Sequence, residues 1–159
     1  RSPAQARPMM LEAALAYLHL AAILSWVVFV SSTAALARAE WLNAAVVKRL
    51  VVVDRIALMA GVAVLASGLA RWWLGSKGAA WYGQQPLLWV KLALFAVMAV
   101  AALRTRRDLL AWQRRLHSTA ELPVAATIAA LRRRVMRSSH LVLVLPVAAV
   151  LLARGLWTV

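Results

Sequence analysis

Long apolar stretches alternate with short basic segments along the chain. Four of the stretches approach the ~20 residues that a helix needs to cross a bilayer core about 30 Å thick. They cover about residues 11–37, 56–74, 86–103 and 139–157. Each must be helical, because lipid offers no partner for an unpaired backbone N–H or C=O. The pattern predicts an all-α integral membrane protein, a four-transmembrane-helix bundle forming a single domain over residues 1–159.

Two basic segments also carry apolar residues at helical spacing. In 104–116, leucines and a tryptophan alternate with five arginines. In the next segment, Pro123 suits the first position of a helix, and an apolar stripe follows at Val124, Ile128, Leu131 and Val135. We therefore expect short surface helices on the cytoplasmic side. Two interpretations stay open: a positively charged lip that binds anionic lipid, or solvated extensions of the spans.

The amino-acid composition restricts the class of protein further. The chain is 64% hydrophobic, and its 19 Lys+Arg against 5 Asp+Glu give a formal charge of +14. Soluble domains are only about 45–50% apolar, so a soluble domain is excluded. A nucleic-acid binder is also excluded, because the charge lies between apolar runs rather than on a polar domain. Membrane lipids are the expected partners.

The basic residues are distributed unevenly between the two sides of the predicted bundle. Thirteen lie in the connections 38–55 and 104–137, five lie at the opposite side, and Lys91 lies within the third stretch. The positive-inside rule puts the thirteen in the cytoplasm and both termini outside. The connection after the second span is then external, and it carries an aromatic belt formed by Trp72, Trp73, Trp81 and Tyr82. Residues 1–10 lack a signal-peptide pattern, so no removable leader is expected.

Missing residue types restrict the chemistry. The chain has no cysteine, which excludes disulfides, iron–sulfur clusters and covalently attached c-type haem. Asp54 is expected to be the N-cap of the second span. No carboxylate then lies well inside a span, which disfavours a carrier that uses buried acids.

His19 is the first candidate for a functional site. It lies inside the first span, where an ionisable residue is costly unless it has a partner. Ala16 and Ala22, one turn to either side, leave room for a flat macrocycle to approach the imidazole. The alternative is a structural histidine, bonded to a hydroxyl or carbonyl of a neighbouring helix.

Two cations are expected at the same depth as His19. Lys91 lies five residues into the third span, and Arg71 lies near the outer end of the second. A histidine nitrogen for iron and two cations for carboxylates would suit a haem-like ligand. Lys91 has a simpler alternative, in which its stem snorkels to the nearby outer interface.

Other residues are weaker candidates. His140 lies at the cytoplasmic start of the fourth span, so it cannot share one macrocycle with His19 within a subunit. It is either interfacial or part of a second haem site or a dimer-spanning site. Met98 is expected to fill the core. Gly61 and Gly68 allow close helix contact, within the bundle or in a homodimer.

Several short motifs of the chain resemble those of known membrane-protein families. His19 followed by Ser25-Trp26, Gly68 in the second helix, and Leu88-Trp-Val-Lys91-Leu opening the third resemble the HemJ-type protoporphyrinogen oxidases. Nearly the whole chain resembles a family of predicted small membrane proteins of unknown function, including Gly75-Ser-Lys-Gly78 and Ala153-Arg-Gly155. The HemJ-type run after the tryptophan differs, since Val27–Thr33 here contains neither its proline nor its arginine.

The resemblance implies a haem b-binding redox protein of the bacterial inner membrane. By the resemblance, His19 would be the axial ligand of the iron and Lys91 the essential catalytic lysine. Trp26, Arg71 and His140 are the other candidate residues of the cofactor site. The protein would oxidise a porphyrinogen or another small reductant and pass electrons to quinone. The alternative is a non-catalytic accessory subunit of a larger membrane complex, in which His19 is structural. We also expect self-association, as a homodimer or within a larger membrane complex.

Overall fold

The structure is entirely helical in the part of the chain that it describes. The computed structural model describes residues 3–75 and 78–153, with side chains for 10–75, 78–142 and 144. Its elements are α1 (Pro3–Leu36), a 3₁₀ turn (Ala39–Trp41), α2 (Ala44–Leu74), α3 (Gly78–Gly83), α4 (Pro86–Thr119) and α5 (Ala125–Ala153).

The four long helices form a ring. Helix α1 packs on α2, α2 on α4, α4 on α5, and α5 back on α1, while the short α3 joins the ends of α2 and α4. Helices α1 and α4 therefore face each other across the bundle. A side chain on α1 and one on α4 can meet only through the interior or beside α2 or α5.

Three of these helices are long and apolar enough to cross a membrane: α1 from Met10 to Leu36, α2, and α4. Large apolar side chains along them stay exposed, as lipid-facing surfaces require; examples are Leu20, Leu24, Val28, Val62 and Val97. The fourth predicted span lies in α5, but its end at residues 154–157 lies outside the described residues. That span therefore remains a prediction.

Helix α2 begins about three turns earlier than predicted. Its N-cap is Asn43, whose side-chain oxygen accepts a hydrogen bond from the Val46 N–H at 3.0 Å. Asp54 lies in the helix interior, so the prediction that it caps the second span is wrong. The basic residues before the apolar run do not interrupt the helix, because all three lie on its exposed face; they are Lys48, Arg49 and Arg55.

The two basic segments do not form separate surface helices. Residues 104–116 continue α4 without a break, with Leu109 and Trp112 buried against the bundle. Residues 125–137 likewise belong to α5, and Pro123 precedes that helix instead of occupying its first position. The 34 residues of α4 extend about 51 Å, well beyond a bilayer core of about 30 Å. The basic segments are therefore extensions of the long helices.

Two buried clusters hold the bundle together. One lies at the basic end, where Leu50, Leu109 and Leu131 are fully buried, and all four long helices contribute to it. The second lies nearer the middle of the helices, around Trp26 and Met98. Met98 is a core residue, as predicted. The basic end thus has its own hydrophobic core, as a soluble four-helix bundle does.

The connection between α2 and α4 is organised by its aromatic residues. The Trp72 indole N–H donates to the Ala79 carbonyl at 2.9 Å, and the Trp89 indole N–H donates to the Gly83 carbonyl at 3.0 Å. Trp72 also stacks on Trp73. Both hydrogen bonds fasten α3 to the ends of the long helices and so fix the rim beside Arg71 and Lys91.

Candidate functional site

His19 is fixed to the neighbouring helix through a serine. It is half-buried on α1, and its Nδ1 lies 2.8 Å from the Oγ of Ser67 on α2. The Ser67 hydroxyl lies 2.6 Å from the Ala63 carbonyl oxygen and 3.2 Å from that of Val64. A hydroxyl has a single hydrogen to donate. We assign that hydrogen to the carbonyls, so the serine oxygen accepts the Nδ1–H of His19.

This hydrogen-bond chain leaves Nε2 as the unprotonated ring nitrogen. With Nδ1 protonated, a neutral imidazole carries its lone pair on Nε2. Within the described residues the ring's hydrogen-bonding neighbours are the Ser67 hydroxyl, at Nδ1, and the Val64 backbone, both on α2. Ligating histidines are commonly oriented in this way, with one nitrogen held by the protein and the other free for the ligand.

The imidazole lies close to the backbone of α2. A Cβ added to Gly68 would lie 3.3 Å from His19 Cε1, which is tighter than an ordinary van der Waals contact. The glycine therefore allows the close approach of α1 and α2 at this depth, and a larger residue would require the imidazole to shift by a few tenths of an ångström. It faces the bundle interior, as does Gly61, which contacts the Trp26 indole. Both glycines serve packing within one chain, one of the two uses predicted for them.

Lys91 and Arg71 complete a cluster with His19. Both cations lie within electrostatic range of His19, and Arg71 lies within range of Lys91. Lys91 is half-buried on α4, and Arg71 is exposed on the last turn of α2. Three residues predicted to share one depth thus come together from three helices. The site combines a nitrogen lone pair with two positive charges, a set that suits an anionic ligand.

Trp26 lies deeper than this cluster. Seven residues along α1 separate it from His19, about 10 Å. The Trp26 side chain is 4% exposed and packs against Phe95 with ring centroids 5.4 Å apart. Its surroundings are those of a core tryptophan between α1, α2 and α4.

His140 lies at the other end of the bundle. It is exposed on α5 and lines a groove with several arginines and with Ala37, the residue after α1. Eighteen residues of α1 and its end separate Ala37 from His19, about 27 Å. The structure thus places His140 in this groove and does not bring it into the cluster with His19.

A buried ion pair is the feature that the sequence analysis missed. Asp54 is 4% exposed, and its carboxylate accepts a hydrogen bond from Arg106 Nη1 at 3.3 Å. Arg106 also donates to the Val51 carbonyl at 3.0 Å. The sequence does carry a signal: Asp54 continues the buried stripe of α2 at spacings of three and four, together with Val47, Leu50, Ala57, Gly61 and Val64.

A small internal cavity of about 30 Å³ adjoins this pair. Trp26 and Met98 line it, and polar side chains reach it from all four long helices: Thr33, Asp54, Thr105 and Ser138. A volume of that size, with several polar partners, is enough for a water molecule. The bundle therefore contains a small, mostly apolar cavity below the core tryptophan, with the Asp54 carboxylate at its edge.

The described residues contain no cluster of three or more histidine or acidic side chains that could hold a metal ion. His19 offers one nitrogen, and the charged groups near it are the cations Arg71 and Lys91. A metal at this site would need its remaining ligands from a prosthetic group.

Comparison with known proteins identifies a family. The chain has no significant match among curated proteins or among solved structures. Residues 11–156 match the model of a family described as "Predicted membrane protein (DUF2214)". This match covers nearly the whole chain and confirms the predicted likeness to small membrane proteins of unknown function. The chain belongs to the DUF2214 family of membrane proteins.

Proposed function

We propose that the protein is a haem b-binding redox protein of the bacterial inner membrane. The observation that carries the proposal is the hydrogen bond between His19 Nδ1 and Ser67, which would leave Nε2 for a ligand. Imidazole is the usual proximal ligand of b-type haem, and the chain has no cysteine to compete with it.

The residues around His19 fit such a group. Haem supplies four ring nitrogens to its iron, so one protein nitrogen is enough for an axial bond. Lys91 and Arg71 would hold the two propionates, whose negative charge would offset two cations that are costly near hydrocarbon. Ala16 and Ala22 keep the helix surface beside His19 small.

Each residue has its own role in this proposal. His19 binds the iron, and Ser67 keeps the imidazole in one orientation and one tautomer. Lys91 and Arg71 bind the carboxylates and favour the state with less positive charge. When bound, the haem would supply one-electron transfer. The HemJ-type resemblance supports a porphyrinogen or another small reductant as substrate, with quinone as electron acceptor and Lys91 as the catalytic lysine.

The orientation belongs to the same proposal. The unequal distribution of basic residues supports a cytoplasmic basic end and periplasmic termini. The His19 cluster would then face the periplasmic side. A homodimer or a larger membrane complex is the proposed assembly.

A second candidate function is supported by the hydrogen bond itself. The contact between His19 and Ser67 joins α1 to α2 and gives the histidine a partner without any cofactor. In an accessory subunit of a larger complex, that contact would be purely structural.

The visible spectrum of protein purified in mild detergent, after expression with added haem precursor, separates the two candidates. We expect a Soret band that His19→Ala abolishes and that the matched variant His140→Ala retains. Lys91→Met should keep part of the haem with weaker binding, and Lys91→Arg should fall between it and the parent. Absence of a Soret band from the parent would favour the accessory subunit. Loss of haem in His140→Ala, with haem retained in His19→Ala, would assign the haem site to the basic end of the bundle.

A further inference from the structure

A groove in the described part of the molecule lies at its basic end. It has a volume of about 450 Å³ and runs between α5 and the segment that follows α1. Its polar lining consists of Arg38, Glu40, Arg132, Arg133, Arg137 and His140. This groove is about 27 Å along α1 from His19, so it is separate from the site proposed above.

Four arginines share this groove with one glutamate. Within the described residues none of the four forms an ion pair. Their neighbour Arg134 points elsewhere and pairs with Asp108 at 2.6 Å. Arginines that line one groove without partners repel one another, and an anion between them would remove that repulsion.

Two of the arginines are already held in position. Arg132 Nε donates to the Ala34 carbonyl at 3.3 Å, which ties α5 to the end of α1. The Arg38 guanidinium lies 4.7 Å from the centre of the Trp41 ring, a cation–π distance. Arginine donors fixed in this way match the oxygens of a phosphate group.

The groove also lies where a bilayer surface is expected. Helix α1 ends at Leu36, and Trp41, 56% exposed, follows within five residues. Exposed tryptophans beside a span are typical of the membrane interface. Val144 lies one helical turn beyond His140 and is 49% exposed, so an apolar surface continues from the groove towards the hydrocarbon.

We propose that this groove binds the headgroup of an anionic phospholipid. The arginines bind the phosphate, and the acyl chains lie along the apolar surface that includes Val144. With four arginines present, a headgroup with two phosphates binds more tightly than one with a single phosphate. The positively charged lip expected from the sequence then corresponds to a defined lipid site between α1 and α5.

The test compares lipid binding by two matched double variants. Arg133→Gln with Arg137→Gln removes two exposed groove arginines and leaves the Arg132 contact intact. Arg114→Gln with Arg115→Gln removes the same charge from exposed positions on α4 that do not line the groove. Native mass spectrometry and thermal shift in detergent would measure binding of cardiolipin, phosphatidylglycerol, phosphatidylcholine and inorganic phosphate.

We expect cardiolipin to bind best, phosphatidylglycerol less well, and phosphatidylcholine and inorganic phosphate weakly. The groove variant should bind cardiolipin at least about tenfold more weakly, since each basic residue near an anionic lipid surface contributes about 1 kcal/mol. The α4 variant should change affinity less than about twofold. Equal losses in the two variants would overturn the proposal, because a general charge effect would explain them. Inorganic phosphate binding as well as the lipids would assign the groove to free anions instead.

Discussion

Asp54 occupies a position where the surrounding pattern demands an apolar residue. It is buried on α2, and its partner Arg106, with its side chain 25% exposed, lies nearer to solvent. Removing one member of a buried ion pair leaves the charge of the other uncompensated. The loss of stability is largest when the member left behind is the more buried one. The two residues therefore contribute unequally to stability.

At the residue scale we predict that Arg106→Gln destabilises the protein by about 3–5 kcal/mol, because it leaves the buried Asp54 carboxylate without its positive partner. Asp54→Asn should be less harmful, by about 1–2 kcal/mol, because Arg106 can turn towards water and keeps its bond to Val51. The combined variant should be more stable than Arg106→Gln alone. Denaturation in mixed micelles would measure all three. A combined loss equal to the sum of the single losses would contradict the coupling.

The sequence predicted that the residues of the His19 cluster lie at one depth in the membrane, because the depth of a residue follows from its position along the helix. A helix rises by a fixed length per residue, so His19, Arg71 and Lys91 could be assigned to one level before any packing was known. The bond to Ser67 could not be derived in the same way. It depends on how α1 and α2 are rotated relative to each other, which the apolar pattern of lipid-exposed helices leaves undetermined.

At the element scale, the turn between α4 and α5 contains an unfavourable residue. Ala120 caps α4 in the left-handed conformation, with φ of 58°. An L-residue with a Cβ is disfavoured there by about 1 kcal/mol, whereas glycine adopts this conformation readily.

We predict that Ala120→Gly raises thermal stability in detergent by a free energy of about 0.5–1 kcal/mol. Ala130→Gly is the matched control, since Ala130 is exposed inside α5 in ordinary helical conformation. It should lower stability by about 1 kcal/mol. Destabilisation by both glycines would show that the left-handed cap is not strained.

The boundaries of α2 and α4 show where sequence analysis of the elements fails. A hydropathy window measures apolar length, so it ends a span wherever charges accumulate. Here the charges lie on exposed faces, while residues such as Val47 and Leu109 continue the buried stripe beyond the apolar run. Helices that leave the bilayer can remain helical as long as one face stays packed. Periodicity, rather than mean hydropathy, identifies these extensions.

At the scale of the whole molecule, the two ends of the bundle differ in character. One end contains the aromatic rim and the His19 cluster, and the other contains a hydrophobic core surrounded by arginines. Such an asymmetric molecule should adopt a single orientation in the membrane.

Single cysteines test the orientation directly, because the chain contains none of its own. Gln84→Cys, exposed near α3, should react with a membrane-impermeant maleimide added to intact cells. Ser118→Cys, exposed at the end of α4, should react only after the cells are permeabilised. Reversed labelling would place the arginine-rich end in the periplasm, and labelling of both positions from outside would indicate a mixed population.

The pairing of Asp54 with Arg106 also constrains biogenesis. The two residues are separated by 52 positions, so α2 leaves the ribosome well before its partner on α4. A carboxylate at the centre of a span opposes insertion by about 2.5–3.5 kcal/mol, and less near the interface. Asp54 lies at the interface end of the apolar run, so in a nascent chain ending before Arg106 we expect α2 to insert slightly less efficiently with Asp54 than with Asp54→Asn. If α2 of the truncated chain integrates as well with aspartate as with asparagine, the translocon accepts each helix independently; otherwise α2 and α4 enter the membrane as a pair.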